Sequence, residues 1–124
     1  MRQDTWPDAH RDFYERFCSF WSDPSGDRVH EIISPDASIH FTGQPTMSGV
    51  EYYRWMGETL EGLPDLRVEP GGYAENEQTL YISWEASATI EGSPRRWFGV
   101  DRFRLQHGMA IEEHIIFNSA LLEA

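Results

Sequence analysis

Hydrophobic and polar positions alternate along this chain with two different periods, and the period changes near the middle. Residues 7–22 carry Phe13, Phe17, Phe20 and Trp21 at helical spacing, so they predict a helix with one broad aromatic face. Thr5 is placed to cap it, with Pro7 at its start and Asp8 three residues beyond the cap. Asp23-Pro24-Ser25-Gly26-Asp27 ends it. A short helix over 27–33 follows, with Val29, Ile32 and Ile33 inward, and Pro35-Asp36 marks the next break. Residues 37–43 alternate and predict a strand. Ser48-Gly49-Val50-Glu51 is a capping box that opens a third helix, running to about Glu61, with Val50, Tyr53, Met56 and Leu60 on one face.

After Gly62 and Pro64 the period becomes two. Residues 66–73 are broken by Pro70-Gly71-Gly72, which predicts a bulge or an edge strand. Residues 79–91 alternate most clearly: Leu80, Ile82, Trp84, Ala86, Ala88 and Ile90 point one way, and polar residues and Tyr81 the other. Gly92-Ser93-Pro94 turns the chain. Strands over 96–106 and 111–118 are joined at His107-Gly108. Helices followed by a meander of long antiparallel strands predict an α+β fold, with the helices on one face of a curved sheet.

Composition narrows the function. The chain has 124 residues, enough to bury roughly two-thirds of its unfolded surface in one core, and one domain spanning 1–124 is expected. Asp and Glu number 21 against 10 basic residues, all Arg, for a net charge of −11. That balance argues against nucleic acid and anionic membrane as partners. The absence of Lys excludes a Schiff-base lysine. The single Cys18 excludes an intrachain disulfide and a multi-Cys metal site, and no two His are spaced for a metal, so neither metal nor cofactor is expected. No run of about 18 apolar residues is present to span a membrane. The polar start of the chain lacks an apolar signal core, so a cytoplasmic location is expected.

Two polar residues stand out among the strands. Asp101 lies in the row Trp97, Gly99, Asp101, Phe103 and Leu105, a lone carboxylate among apolar neighbours. Burial without a partner would raise its pKa and keep it as a proton donor; a pairing with Arg96 or Arg102, or a solvated edge, is the plainer alternative. His114 lies on the last strand, whose phase is open. One face would be Ile111, Glu113, Ile115 and Phe117, the other Glu112, His114, Ile116 and Asn118. If the second faces the helices, His114 and Asp101 meet in one cavity as material for proton transfer. Five Trp, five Tyr and seven Phe could fill a core. Small Ala86, Ala88 and Gly99 among them suggest a pocket instead.

The order of motifs resembles the SnoaL-like and ketosteroid isomerase-like branch of the nuclear transport factor two-like superfamily. The resemblance runs from about Ala9 to Asn118. It is carried by Pro35-Asp36-Ala37-Ser38-Ile39, Ser48-Gly49-Val50-Glu51, Leu63-Pro64-Asp65-Leu66, Val100-Asp101-Arg102-Phe103-Arg104 and Ile111-Glu112-Glu113. It implies a cone-shaped barrel, with three N-terminal helices packed on a strongly curved, mixed, mainly antiparallel sheet around a deep apolar pocket, and a homodimer. Asp101 matches the isomerase's buried acid. The isomerase's general-base Asp matches Phe41, and its oxyanion Tyr matches Phe17. Two of the three groups are apolar here, so the implied chemistry is not that of ketosteroid isomerase itself. The resemblance also places His114, Ile116 and Asn118 on the pocket face.

The function expected from these readings is a cofactor-free enzyme. It would act by proton transfer on a small apolar, carbonyl-bearing or polycyclic molecule, as an isomerase, cyclase or dehydratase. Asp101 and His114 would be acid and base in either order. Tyr14, Tyr53 and Asn118 would orient an oxygen, while Phe17, Trp21, Phe41, Met56, Trp84 and Trp97 would line the pocket. The rivals are a module that binds an apolar ligand without chemistry and a dimerising domain with a filled interior.

Overall fold

A computed structural model describes residues 5–118 and 120. Helix α1 spans Trp6–Ser22, and the Thr5 hydroxyl accepts from the Asp8 backbone N–H as expected. Strand β1 spans Ile33–Phe41 and β2 spans Met47–Ser48. Helix α2 runs Gly49–Gly62 with the Ser48–Glu51 capping box complete in both directions. Four long strands follow: β3 (Arg67–Glu75), β4 (Leu80–Ile90), β5 (Ser93–Gln106) and β6 (Met109–Phe117). They form one six-stranded sheet in the order β2-β1-β6-β5-β4-β3. The β1–β6 pair is parallel and the others are antiparallel, so the sheet is mixed.

Several expectations change. The sheet is open, with β2 and β3 at its edges, and does not close into a barrel. Among the described residues two α-helices pack on it, not three. The segment read as a second helix is a five-residue 3₁₀ turn, Asp27–Glu31, with only Val29 buried. Ile32 caps its end and Ile33 already pairs with Ala110 in the β1–β6 ladder, and both are buried with Val29 as expected. Pro35-Asp36 does not break the chain but sits inside β1. The ladder slips between Ile33 and Ser38, and this bulge takes up a proline that has no N–H to donate. In α2 the buried residues are Gly49, Tyr52 and Met56, whereas Val50 is 58% exposed. A Cβ on Gly49 would lie 1.9 Å from the Ser34 carbonyl oxygen, so the helix start is pressed onto β1 and its rotation is fixed there.

The core lies between the inner sheet face and the helices. Phe13 and Phe17 of α1 pack on Phe103 of β5, with ring centroids 4.8 and 5.7 Å away. His10, nearly buried, meets Glu75 at 3.0 Å and ties α1 to the edge strand β3. Arg16 donates to the Glu31 and Gly108 carbonyls, joining α1 to the 3₁₀ turn and to the β5–β6 hairpin. Among the described residues, no helix is long and apolar enough to cross a membrane.

The capping box offers a direct test of this local reading. Replacing Ser48 by Ala should cost about 1 kcal/mol, seen as a fall of several degrees in the thermal midpoint without a change in the far-ultraviolet spectrum. An unchanged midpoint would show that the β1 contact alone sets the helix start.

Candidate functional site

The strand carrying the site is aligned by a bulge. Across the His107-Gly108 turn, Gln106 pairs with Met109 and Leu105 with Ala110. The next pair is Arg104 with Glu112, so Ile111 is the extra residue. An unbroken ladder would have set Asp101 opposite His114. The bulge shifts the register by one and turns every later side chain of β6 to the opposite face. Asp101 therefore pairs with Ile115, Phe103 with Glu113, and Arg102 with His114.

Glu113, Ile115 and Phe117 thus look toward the helices, and His114 looks away. His114 stacks on His40 of β1 at 4.2 Å between ring centroids, on the outer face, with Glu112 at 3.3 Å. Its partial burial, together with nearby His40 and Arg102, lowers its pKa below the usual imidazole value. The structure does not bring Asp101 and His114 together.

A cavity of about 240 Å³ opens between the inner sheet face and the two helices. Phe17 and Trp21 reach it from α1, Tyr52, Trp55, Met56 and Thr59 from α2, and Phe41 from β1. The sheet adds Trp84, Ala86 and Ile90 from β4, Trp97 and Asp101 from β5, and Ile115 and Phe117 from β6. Leu63, Leu66 and Val68 complete the wall. Ring contacts bind the wall together: Phe41 lies 4.7 Å from Trp55 and 5.4 Å from Phe117.

Of the residues expected at the site, Phe17, Trp21, Phe41, Met56, Trp84, Trp97 and Asp101 line this cavity. Tyr14 instead packs against Tyr73 at 4.9 Å between centroids, beside Cys18. Tyr53 donates its hydroxyl to the Ile33 carbonyl at 2.7 Å and faces a separate surface groove. Asn118 is exposed, its side chain accepting from the Ala120 N–H. His114 and Asn118 are displaced by the phase of β6 and Tyr53 by the rotation of α2, whereas α1 presents its expected aromatic face and Tyr14 lies beside that face. Glu113, Tyr52, Trp55 and Phe117 went unrecognised. The only sequence signal for Glu113 was the alternative phase of the last strand.

Asp101 is positioned by a small residue. Gly99 pairs with Trp84 across β5 and β4. A Cβ there would come within 2.6 Å of the indole, so the room beside Gly99 is filled by Trp84 and is not open pocket. That placement lets the indole Nε1 donate to Asp101 Oδ1 at 2.9 Å. Asp101 is also hydrogen-bonded to Glu113, and the two are 5% and 2% exposed.

Two carboxyls so close and so buried cannot both ionise, so they share one proton. Burial pushes Asp101 up from its ordinary 3.8 to about 6, restrained by hydrogen bonds from Glu113 and Trp84. Burial, then the charge of Asp101, raises Glu113 well above the carboxylate range. The indole donor favours the anion on Asp101. Glu113 has an oxygen with no partner among the described residues, which favours the neutral acid there. At pH 7 Asp101 is therefore an ionised base and Glu113 the acid beside it. Tyr52, its pKa raised by burial and then by both carboxyls, stays an O–H donor at the cavity wall.

Comparison with known proteins fits this architecture. Residues 11–114 match the SnoaL-like domain, and the chain belongs to that family. No curated protein matches it in sequence. A protein from Jannaschia sp. CCS1, provisionally classed as a SnoaL-like polyketide cyclase, superimposes with a TM-score of 0.79 at 15% identity, covering 98% of this chain and 94% of that one. AclR from Streptomyces galilaeus, provisionally classed as a hydroxylase, gives 0.75 at 18% identity and covers 91% of each chain. TerC, co-crystallised with polyporic acid, gives 0.78 at 13% identity over 92% and 95% of the two chains. At these identities the likeness is one of fold.

The raised carboxyl makes a prediction about stability. Below pH ~4 Asp101 is protonated in both folded and unfolded chains and carries no penalty. Between about 4 and 6 the unfolded chain ionises while the folded site resists, so stability is lost across that window and stays lost above it. Asp101→Asn never ionises and still accepts from Trp84. It should gain roughly 2–3 kcal/mol over the native protein at pH 8 relative to pH 4. Denaturant titrations at the two pH values measure this, and an equal difference at both would refute the buried-anion account.

Proposed function

We propose that this SnoaL-like chain is a cofactor-free enzyme that moves a proton on a small apolar molecule, carbonyl-bearing or polycyclic, as an isomerase, cyclase or dehydratase. The observation that carries the reading is Asp101, a carboxylate at the wall of an aromatic cavity, with an acid behind it and an indole N–H holding it in place. A base with a pKa near the working pH combines the right protonation state with driving force for abstraction. Asp101 takes a proton from a carbon next to a carbonyl, and the Tyr52 hydroxyl donates to the oxygen where charge develops. Phe17, Trp21, Phe41, Met56, Trp84 and Trp97 hold the apolar body and keep water from the intermediate. The provisional classing of one structural neighbour as a polyketide cyclase and the polyporic acid complex of another support an apolar small molecule as the substrate.

A second reading, a module that binds without turnover, draws on how few polar groups reach the cavity: Tyr14, Asn118 and His114 all lie elsewhere. Deuterium uptake separates the two without knowledge of the substrate. Enolisable aromatic ketones such as indanone and tetralone, incubated with the protein in heavy water, should exchange their α-protons faster than in buffer. Asp101→Asn should lower that rate by about 100-fold or more. Exchange at the buffer rate across the panel would favour binding alone.

We propose the outer sheet face as the contact surface of the homodimer that the resemblance implies. Phe98 is 65% exposed and Ile116 52%, and Val100 pairs with Ile116 between them. Exposed apolar side chains grouped in this way are candidates for an interface. Phe98→Glu should halve the mass measured by light scattering while leaving the fold intact; a mass unaffected by the substitution would remove this face from the interface.

A further inference from the structure

The charge of the cavity has a consequence for what it takes. The carboxyl pair holds a single proton, so it carries one net negative charge in a nearly dry, apolar space. Among the described residues no Arg, His or other basic side chain lines that space. Arg102 and His114, the nearest bases along the strands, sit on the opposite face of the sheet. Among the described residues, Glu113 from β6 and Tyr52 from α2 are the titratable groups that face Asp101. Phe17 and Trp21 from α1 and Trp84 from β4 do not titrate. A buried charge is stable when paired, and here the protein supplies hydrogen bonds but no counter-ion.

The walls supply the rest of a cation site. Trp21, Trp55, Trp84 and Trp97 line the cavity together with Phe41 and Phe117. Their rings meet at steep angles: Phe41 is tilted 53° to Trp55 and 69° to Phe117, and Trp84 56° to Phe117. Rings set at such angles do not all lie in one plane, and Trp is the strongest aromatic partner for a cation. Outside the cavity, a net charge of −11 with no Lys draws cations toward the protein.

We infer that the ligand of this cavity is an organic cation, an apolar molecule bearing an ammonium centre that the tryptophans enclose and Asp101 neutralises. This rests on the cavity being the site proposed above and adds the charge of its substrate. The two readings are chemically consistent. When a carbon-bound proton passes to Asp101, the pair becomes neutral and the negative charge moves to the substrate oxygen. With a cationic substrate the cavity is neutral before and after the step. With a neutral one it holds an unpaired negative charge throughout.

Benzyltrimethylammonium and its uncharged isostere neopentylbenzene test the inference by quenching of tryptophan fluorescence. At pH 8 the ammonium ion should bind at least ten-fold more tightly than the isostere. That preference should collapse at pH 5, where Asp101 takes up a proton, and in Asp101→Asn at pH 8. Equal or tighter binding of neopentylbenzene at pH 8, or a preference that survives both at pH 5 and in the variant, overturns the cation while leaving an apolar cavity. Binding of neither probe overturns it as well. Deuterium uptake fails independently: no exchange above the buffer rate in an aromatic ketone that carries a trimethylammonium group, with the ammonium preference intact, removes the enzyme and keeps the cation site.

Discussion

One extra residue in the last hairpin, Ile111, sets which side of β6 looks inward, and the site depends on that choice. Side chains alternate strictly along a strand, so a one-residue slip exchanges the two faces as whole sets. The slip brings Glu113 beneath Asp101 and sends His114 outward to stack on His40. It also turns Ile115 and Phe117 into the cavity wall. Without it the site would be an acid facing an imidazole. With it, the site is two carboxyls sharing a proton in an apolar enclosure. This phase turns Ile115 and Phe117 inward but also buries Glu113 and exposes Ile116, so the apolar pattern of the strand alone does not select it.

A second constraint acts across the sheet. Gly99 has no side chain because Trp84 lies over its backbone, and the indole then reaches Asp101. A small residue on a strand is thus the means of aiming a large one. The donor matters because desolvation alone would keep both carboxyls neutral. A single N–H on Asp101, with none found for the free oxygen of Glu113, divides the roles within the pair. Tyr52 joins them because the tight contact of Gly49 with β1 fixes the rotation of α2. Backbone approach at two glycines therefore orients most of the polar groups that the cavity contains.

The sequence by itself determined the elements and their inner faces wherever the pattern was regular. The caps at Thr5 and Ser48, the alternation from Leu80 to Ile90, the inward row of Trp97, Asp101 and Phe103 and the edge character of the strand at Pro70-Gly71-Gly72 are local properties, set by backbone donors and side-chain spacing. Asp101 could be singled out because a lone acid in an apolar row is visible without knowing its neighbours. Only the tertiary structure decided its partner. Whether Glu113 or His114 faces inward depends on a bulge whose extra residue is an ordinary isoleucine, with no glycine or proline to announce it. Likewise Pro35 reads as a stop, yet the parallel pairing with β6 carries β1 through it. Register and helix rotation are settled by contacts between segments far apart in the chain, and those contacts turn an isolated acid into a shared-proton pair.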